Sequence, residues 1–243
     1  MFFSSATMPE QDELMVNGER LRYVIRVSQR RQTLCLRLFP DGEMQVVAPG
    51  HARLADVRHF VRERGGWIER KRLQWRGADL DRSDPCADGR VLPLLGGQLQ
   101  LRHRPPAQQR PLAVRVGDTL LLPVSAAQAA RPLVEAWYRQ QAQVHVAQRV
   151  AHFAPRVGRT PARISIRAQR TRWGSCSGRG TISINWRLML ASPEVLDYVI
   201  VHELCHLLQA NHSPRFWREV ARVMPEYARH QQQLREFGRR LVF

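Results

Sequence analysis

Apolar residues between Leu21 and Ala48 fall on alternate positions: Tyr23, Ile25 and Val27, then Leu34, Leu36 and Leu38, then Met44 and Val46. A period of two sends successive side chains to opposite faces, so this spacing predicts three strands in a β-meander, with Pro40-Asp41-Gly42 turning between the last two. From Arg53 to Trp75 the spacing becomes helical through Leu54, Val57, Val61 and Ile68, and Gly65-Gly66 is expected to kink or split that helix. Residues 77–90 are turn-rich and weakly apolar and read as a linker or long loop. A second strand group follows at Val91–Leu95, Leu99–Arg102, Leu112–Val116 and Thr119–Pro123, with hairpin turns at Gly96-Gly97 and Gly117-Asp118.

A long helix is predicted over Arg131–Phe153, where Val134, Tyr138, Ala142, Val146 and Val150 recur every four residues on one face. Beyond it, Arg163–Arg167 and Thr181–Asn185 read as strands around a polar loop at Arg170–Arg179. Ser192 and Pro193 supply an N-cap and a first-turn proline for the next helix, and Glu194 complements its positive end. Val195, Leu196, Val199, Ile200, Leu204, Leu207 and Leu208 make that helix apolar on most sides, as a buried one would be. It is expected to run to about Ala210 and to end on a left-handed Asn211, with Ser213-Pro214 starting another helix through Phe216, Trp217, Val220 and Met224. A last helix carries Tyr227, Leu234, Phe237 and Leu241. The pattern gives an α+β chain: a β-rich region over 20–125 with one helix at 53–75, and a region over 126–243 that carries the candidate chemistry.

That chemistry lies in the buried helix. His202, Glu203 and His206 form HExxH, and residues four apart share a helix face, so the two imidazoles can reach one ion. Catalytic zinc keeps three protein ligands and an open position, which calls for a third donor nearby; His212, in the turn after the helix, is the nearest. Glu219 and Glu226 rank below it. Glu203 flanks the ion without needing to ligate it and can serve as general base toward a water whose pKa zinc lowers from about 16 toward about 7. The implied reading is an α+β chain with a metal-dependent hydrolase site and Zn2+ as cofactor.

The runs RWGSCS (Arg172–Ser177), INWRL (Ile184–Leu188), LDYVIVHELCHL and NHSPRFW resemble the YgjP-like metallopeptidase family, related to SprT-like and other zincin domains, over about Arg20 to Arg240. The resemblance implies a zincin-type fold, zinc held by His202, His206 and His212, and Glu203 as general base; it implies no particular substrate. The chain departs from HExxHxxGxxH proteases at one place, where Gln209 stands for the glycine. By analogy with zincin folds, Thr181–Asn185 is expected to be the edge strand that pairs with an extended peptide. Trp173, Ser175 and Asn185 are read as fixing their loop by packing and hydrogen bonds. Tyr227 could donate to an oxyanion, with a core role the simpler reading.

Charge and cysteine content adjust this picture slightly. The net charge of +17, carried almost wholly by arginine with Lys71 the single lysine, suits contact with polyanions such as nucleic acid or nucleotides, though genome composition can produce the same balance. The substrate is accordingly a peptide or protein, or else a nucleotide hydrolysed at its phosphoanhydride on the same centre. A third reading is a nucleic-acid-associated binding module with a structural metal, which an open coordination position argues against. Cys35, Cys86, Cys176 and Cys205 show no CxxC pairing and fit a reducing compartment. Cys205 is expected to face away from the metal, and Cys176 is a weak candidate nucleophile. With no apolar run of about 18 residues and no basic, apolar leader at MFFSSATMPEQDEL, the expected location is cytoplasmic, without membrane contact.

Overall fold

The computed structural model describes residues 8–39, 42–76, 84–105, 112–124 and 127–241; the predicted turn residues Pro40 and Asp41, and 77–83 of the predicted linker, lie outside them. The described residues fall into two compact units, 8–76 with 239–241, and 84–238. The second strand group therefore shares a unit with the HExxH helix, across the sequence boundary drawn at 125/126. The architecture is α+β.

In the first unit β1 (Gln11–Val16) and β2 (Glu19–Ser28) make an antiparallel hairpin, and β3 (Cys35–Leu38) and β4 (Met44–Pro49) make another. Strands β2 and β4 pair in parallel, so the order is β1-β2-β4-β3 and the sheet is not the predicted meander. Burial explains the exchange. Leu21, Tyr23 and Ile25 of β2 and Met44, Val46 and Ala48 of β4 are all buried and occupy the two central positions, while every residue of β3 is half-buried and stays at an edge. The unpredicted β1 is set by Asn17-Gly18, whose φ values of 51° and 81° are those of a two-residue hairpin turn.

Helices α1 (Leu54–Glu63) and α2 (Gly65–Arg76) follow, divided at Arg64-Gly65 as the paired glycines suggested. A Cβ on Gly65 would stand 2.5 Å from Val16 Cγ1, so only glycine lets α2 start this close to the sheet. Val57, Val61 and Ile68 close the core over β2 and β4. A polar clasp joins the layers: Arg58 donates Nε and Nη2 to Asp12 at 2.9 and 2.8 Å, and the Tyr23 hydroxyl donates to the same carboxylate at 2.6 Å.

In the second unit β5 (Val91–Leu94), β6 (Gly97–Arg104), β7 (Val114–Val116) and β8 (Thr119–Pro123) repeat the first topology: two antiparallel hairpins joined by a parallel β6–β8 pair, in the order β5-β6-β8-β7. The first turn even repeats its positive-φ pair, at Leu95 (47°) and Gly96 (79°). Helix α3 (Ala127–Val157) follows with Val134, Tyr138, Ala142, Val146 and Val150 all buried. A three-stranded sheet, β9 (Arg163–Arg167), β10 (Gly174–Cys176) and β11 (Thr181–Asn185), leads through a 3-10 turn at Trp186–Leu190 into α4 (Pro193–Cys205), α5 (Pro214–Val223) and α6 (Tyr227–Arg240). Tyr138 stacks on Trp186 at 5.7 Å, and Arg149 of α3 holds Asp197 of α4 through two bonds of 2.7 and 2.6 Å.

The Asp12 clasp makes a pH prediction for the fold. Hydrogen bonds from Arg58, opposed by burial and reinforced by Tyr23, hold its carboxyl down at about 2, against about 4 in an unfolded chain. A lowered folded pKa gives stability that is present above about pH 4 and lost as the pH falls through about 2. Asp12→Asn should therefore cost about 1–2 kcal/mol at neutral pH, the exposed guanidinium limiting the gain. In urea melts the gap between variant and parent should close steadily between about pH 4 and pH 2.

Candidate metal centre

Helix α4 is buried on nearly all sides, from Val195 to Cys205, which gives the HExxH residues a rigid base. Ser192 is its N-cap and Pro193 its first residue as predicted, although the Ser192 hydroxyl caps no backbone N–H. The end differs from expectation. Helix α4 stops at Cys205 and His206 is its C-cap, because Leu207 and Leu208 bond back to Leu204 and Cys205 in a tightened last turn. Asn211 is not among the described residues with positive φ, so the chain reverses without a left-handed residue and without the missing glycine. Helix α5 then starts where foreseen, with the Ser213 hydroxyl accepting from Phe216 N at 3.4 Å and Pro214 in the first turn.

This turn brings the three predicted histidines together. His202 Nε2 stands 3.2 Å from His206 Nε2 and 3.0 Å from His212 Nε2, and the three donor atoms all lie within 4.8 Å of one another. The Gln209 carbonyl, 3.1 Å from His206 Nδ1, must accept a proton there, which leaves the His206 Nε2 lone pair facing the other rings. Burial, with His206 and His212 adding to it, lowers His202 to about 3, and burial also lowers His206. The two separations from His202 fit a shared divalent ion: metal–nitrogen bonds of about 2.0–2.1 Å in a tetrahedron put nitrogens about 3.3 Å apart. Glu219 and Glu226 instead face Arg222 and Arg229, at 2.9 and 3.8 Å.

Glu203 is buried behind the histidines and is pushed up to about 7 by that burial, with Arg172 opposing. Its carboxylate lies against Gly174 of β10: a Cβ there would come within 2.5 Å of Oε1 and 2.8 Å of Cδ. The glycine of RWGSC is thus the space the carboxylate occupies. Register also corrects the expected edge. Strand β11 pairs with β10 on one side and β9 on the other, so Thr181–Asn185 is the centre of its sheet and β10 is the edge beside Glu203. The longer β-forming run took the central place because Ile182 and Ile184 are fully buried there.

Asn185 holds the loop before β10, donating Nδ2 to the Gln169 and Arg172 carbonyls at 2.5 and 3.0 Å while Oδ1 accepts from Arg187 N at 3.1 Å. Trp173 packs on Phe237. The Cys176 thiol is pushed up by burial and by Glu203, the opposite of an activated nucleophile, and Cys205 is buried and raised to about 12. Sequence spacing alone missed the ring wall around the histidines. Phe216 stacks on His206 at 4.5 Å, Trp217 on His212 at 5.8 Å, and Tyr227 on Trp217 at 5.4 Å. The signal was available in the two aromatics that follow Ser213-Pro214 one turn after His212.

Gly174→Ala tests the carboxylate's seat. The backbone there accepts alanine, so the clash falls on Glu203; turnover should drop about 10–100-fold, as expected when a reacting group moves by an ångström, with bound metal unchanged by elemental analysis.

The family model described as YgjP-like, metallopeptidase domain matches residues 32–237. Among solved structures the chain is similar to the metallopeptidase zymogen abylysin of Pyrococcus abyssi, with 28% identity, 40% of this chain and 99% of that chain covered, and a TM-score of 0.35. It is also similar to the metallopeptidase zymogen jannalysin of Methanocaldococcus jannaschii, with 20% identity, 37% and 94% of the two chains covered, and a TM-score of 0.35. A search of curated proteins finds no match.

Proposed function

Because the chain belongs to the YgjP-like metallopeptidase domain family, we propose that it is a zinc-dependent peptidase in which His202, His206 and His212 hold the ion and Glu203 is the general base. The observation that carries this reading is the convergence of three imidazoles next to one buried carboxylate in sequence. Bound zinc would polarise the scissile carbonyl and make water a better acid. The chain's own residues do the rest. A carboxyl held near 7 can take a proton from the attacking water at neutral pH and return it to the departing amine. Gly174 keeps that carboxyl against the strand, and the outer edge of β10 offers backbone groups to an extended peptide laid alongside it. The Tyr227 hydroxyl, on the ring stack beyond Trp217, is a candidate donor to the oxyanion.

The arginine-rich composition motivates the competing substrate, a nucleotide cleaved at its phosphoanhydride, and a partner role for nucleic acid. Free thiols at all four cysteines suit a reducing compartment, and cytoplasmic residence is part of the proposal. Among the described residues no helix is long and apolar enough to cross a membrane.

Elemental analysis should find about one zinc per chain, and chelation should abolish turnover. Glu203→Gln should keep the zinc and lower peptide hydrolysis about 10²–10⁴-fold, the usual worth of a general base. Run against both a peptide library and a nucleotide panel, the same variant decides the chemistry. Glu203-dependent phosphate release without peptide cleavage would overturn the peptidase reading, and salt-sensitive DNA binding with neither activity would leave a binding module.

A further inference from the structure

The three histidines are not held alike. His202 projects from the buried body of α4, and the His206 ring is fixed twice, by the Gln209 carbonyl at Nδ1 and by Phe216 stacked on its face at 4.5 Å. His212 lacks the carbonyl bond and meets Phe216 edge-on at 4.9 Å, not face to face. It is exposed, it sits in the turn between α4 and α5, and among the described residues its Nδ1 has no hydrogen-bond partner. The turn also lacks the glycine that would let the chain double back freely. An exposed imidazole on a loop loses rotamer freedom when it is fixed, so something must hold it for the third nitrogen to stand 3.0 Å from His202 Nε2.

What lies on its face is a column of parallel rings. Trp217 of α5 lies over His212 with 24° between the planes, and Tyr227, the first residue of α6, lies over the far side of Trp217 at 21°. Trp217 also meets Phe216 edge-on at 5.1 Å, which anchors it to a fully buried ring. Stacked pairs of this kind stabilise beyond their buried area, enough to favour one orientation of a ring on an exposed turn. We propose that Trp217, backed by Tyr227, is the positioning residue for the third metal ligand, replacing with ring stacking the hydrogen bond to the Gln209 carbonyl that fixes His206. This rests on His212 being a ligand, as proposed above.

The test measures zinc affinity by competition with a chromogenic chelator, and the visible absorption of the Co2+-substituted protein, in Trp217→Ala, Trp217→Phe, Tyr227→Leu and His212→Ala. Loss of an orienting partner costs about 10–100-fold in metal affinity. Trp217→Ala should lose that much, with a Co2+ spectrum moving toward that of His212→Ala. Trp217→Phe, which keeps a flat ring, should recover most of the affinity, and Tyr227→Leu should lose a few-fold. Should Trp217→Ala fail to fold, Trp217→Leu fills the space without a ring face and is expected to show the same weakening. Wild-type affinity and spectrum in the Trp217 variants, with His212→Ala impaired, would overturn the stacking proposal alone. Unchanged affinity in His212→Ala would remove the ligand assignment and the stacking proposal together.

Discussion

Three imidazole nitrogens within 4.8 Å of one another, one on a buried helix, one at its C-cap and the third on a loop, are the constraint to which the rest of the second unit conforms. Lone pairs turned toward one another repel unless a proton or a cation lies between them, and three convergent rings suit a divalent ion. Holding it requires a helix that does not rotate or slide. Helix α4 meets that need through burial on most sides and through the bidentate Arg149–Asp197 pair, in which a planar guanidinium matches a carboxylate and fixes orientation as well as distance.

The buried acid poses a second problem. A carboxylate removed from water is costly unless neutralised or partnered, and Glu203 responds by rising to about 7. A group that accepts and returns a proton works best with a pKa near the operating pH, and burial moves Glu203 in that direction. The cost is carried by a short chain of contacts. Asn185, at the end of β11, ties down the carbonyls of Gln169 and Arg172; this sets the loop from which β10 emerges, and Gly174 at the start of β10 leaves room for the acid. A single asparagine thus connects the sheet interior to the position of the buried carboxyl.

The histidines, the glutamate and the caps of α4 and α5 were legible because each obeys a local rule: i,i+4 on one helix face, Ser-Pro at a start, an odd donor one turn beyond. The sheets were less so, since pairing depends on comparing strands that are far apart in sequence. Alternation located β2, β3 and β4 but could not say that the two more buried strands would exclude the third from the centre. The same competition put β11 in the middle of its sheet and left three short residues, GSC, as the edge. Asn17-Gly18 was a legible turn signal that the apolar pattern overshadowed. The early end of α4 was not legible: Leu207 and Leu208 continue its apolar run, and only tertiary packing decides that their amides tighten into three-residue bonds instead.

The repeated topology shows how one supersecondary unit can serve two ends. Both four-stranded sheets consist of two hairpins joined through a parallel central pair, and both are followed by helix. After β4 the helix is broken at Gly65, and it does no more than cover its own sheet's core. After β8 no glycine interrupts, and α3 continues for 31 residues with its prolines near its two ends. The extra length lets one helix touch two structures. Near its start the Tyr138 hydroxyl donates to the Pro93 carbonyl of β5, and three turns later Arg149 grips α4. Strand β5 is in turn fastened to the 3-10 segment through Leu95 N and the Met189 carbonyl, 2.8 Å apart. The second sheet, remote in sequence from the histidines, therefore braces both ends of the path into α4, and the absence of a glycine pair in one helix separates a self-contained sheet from a platform for the site.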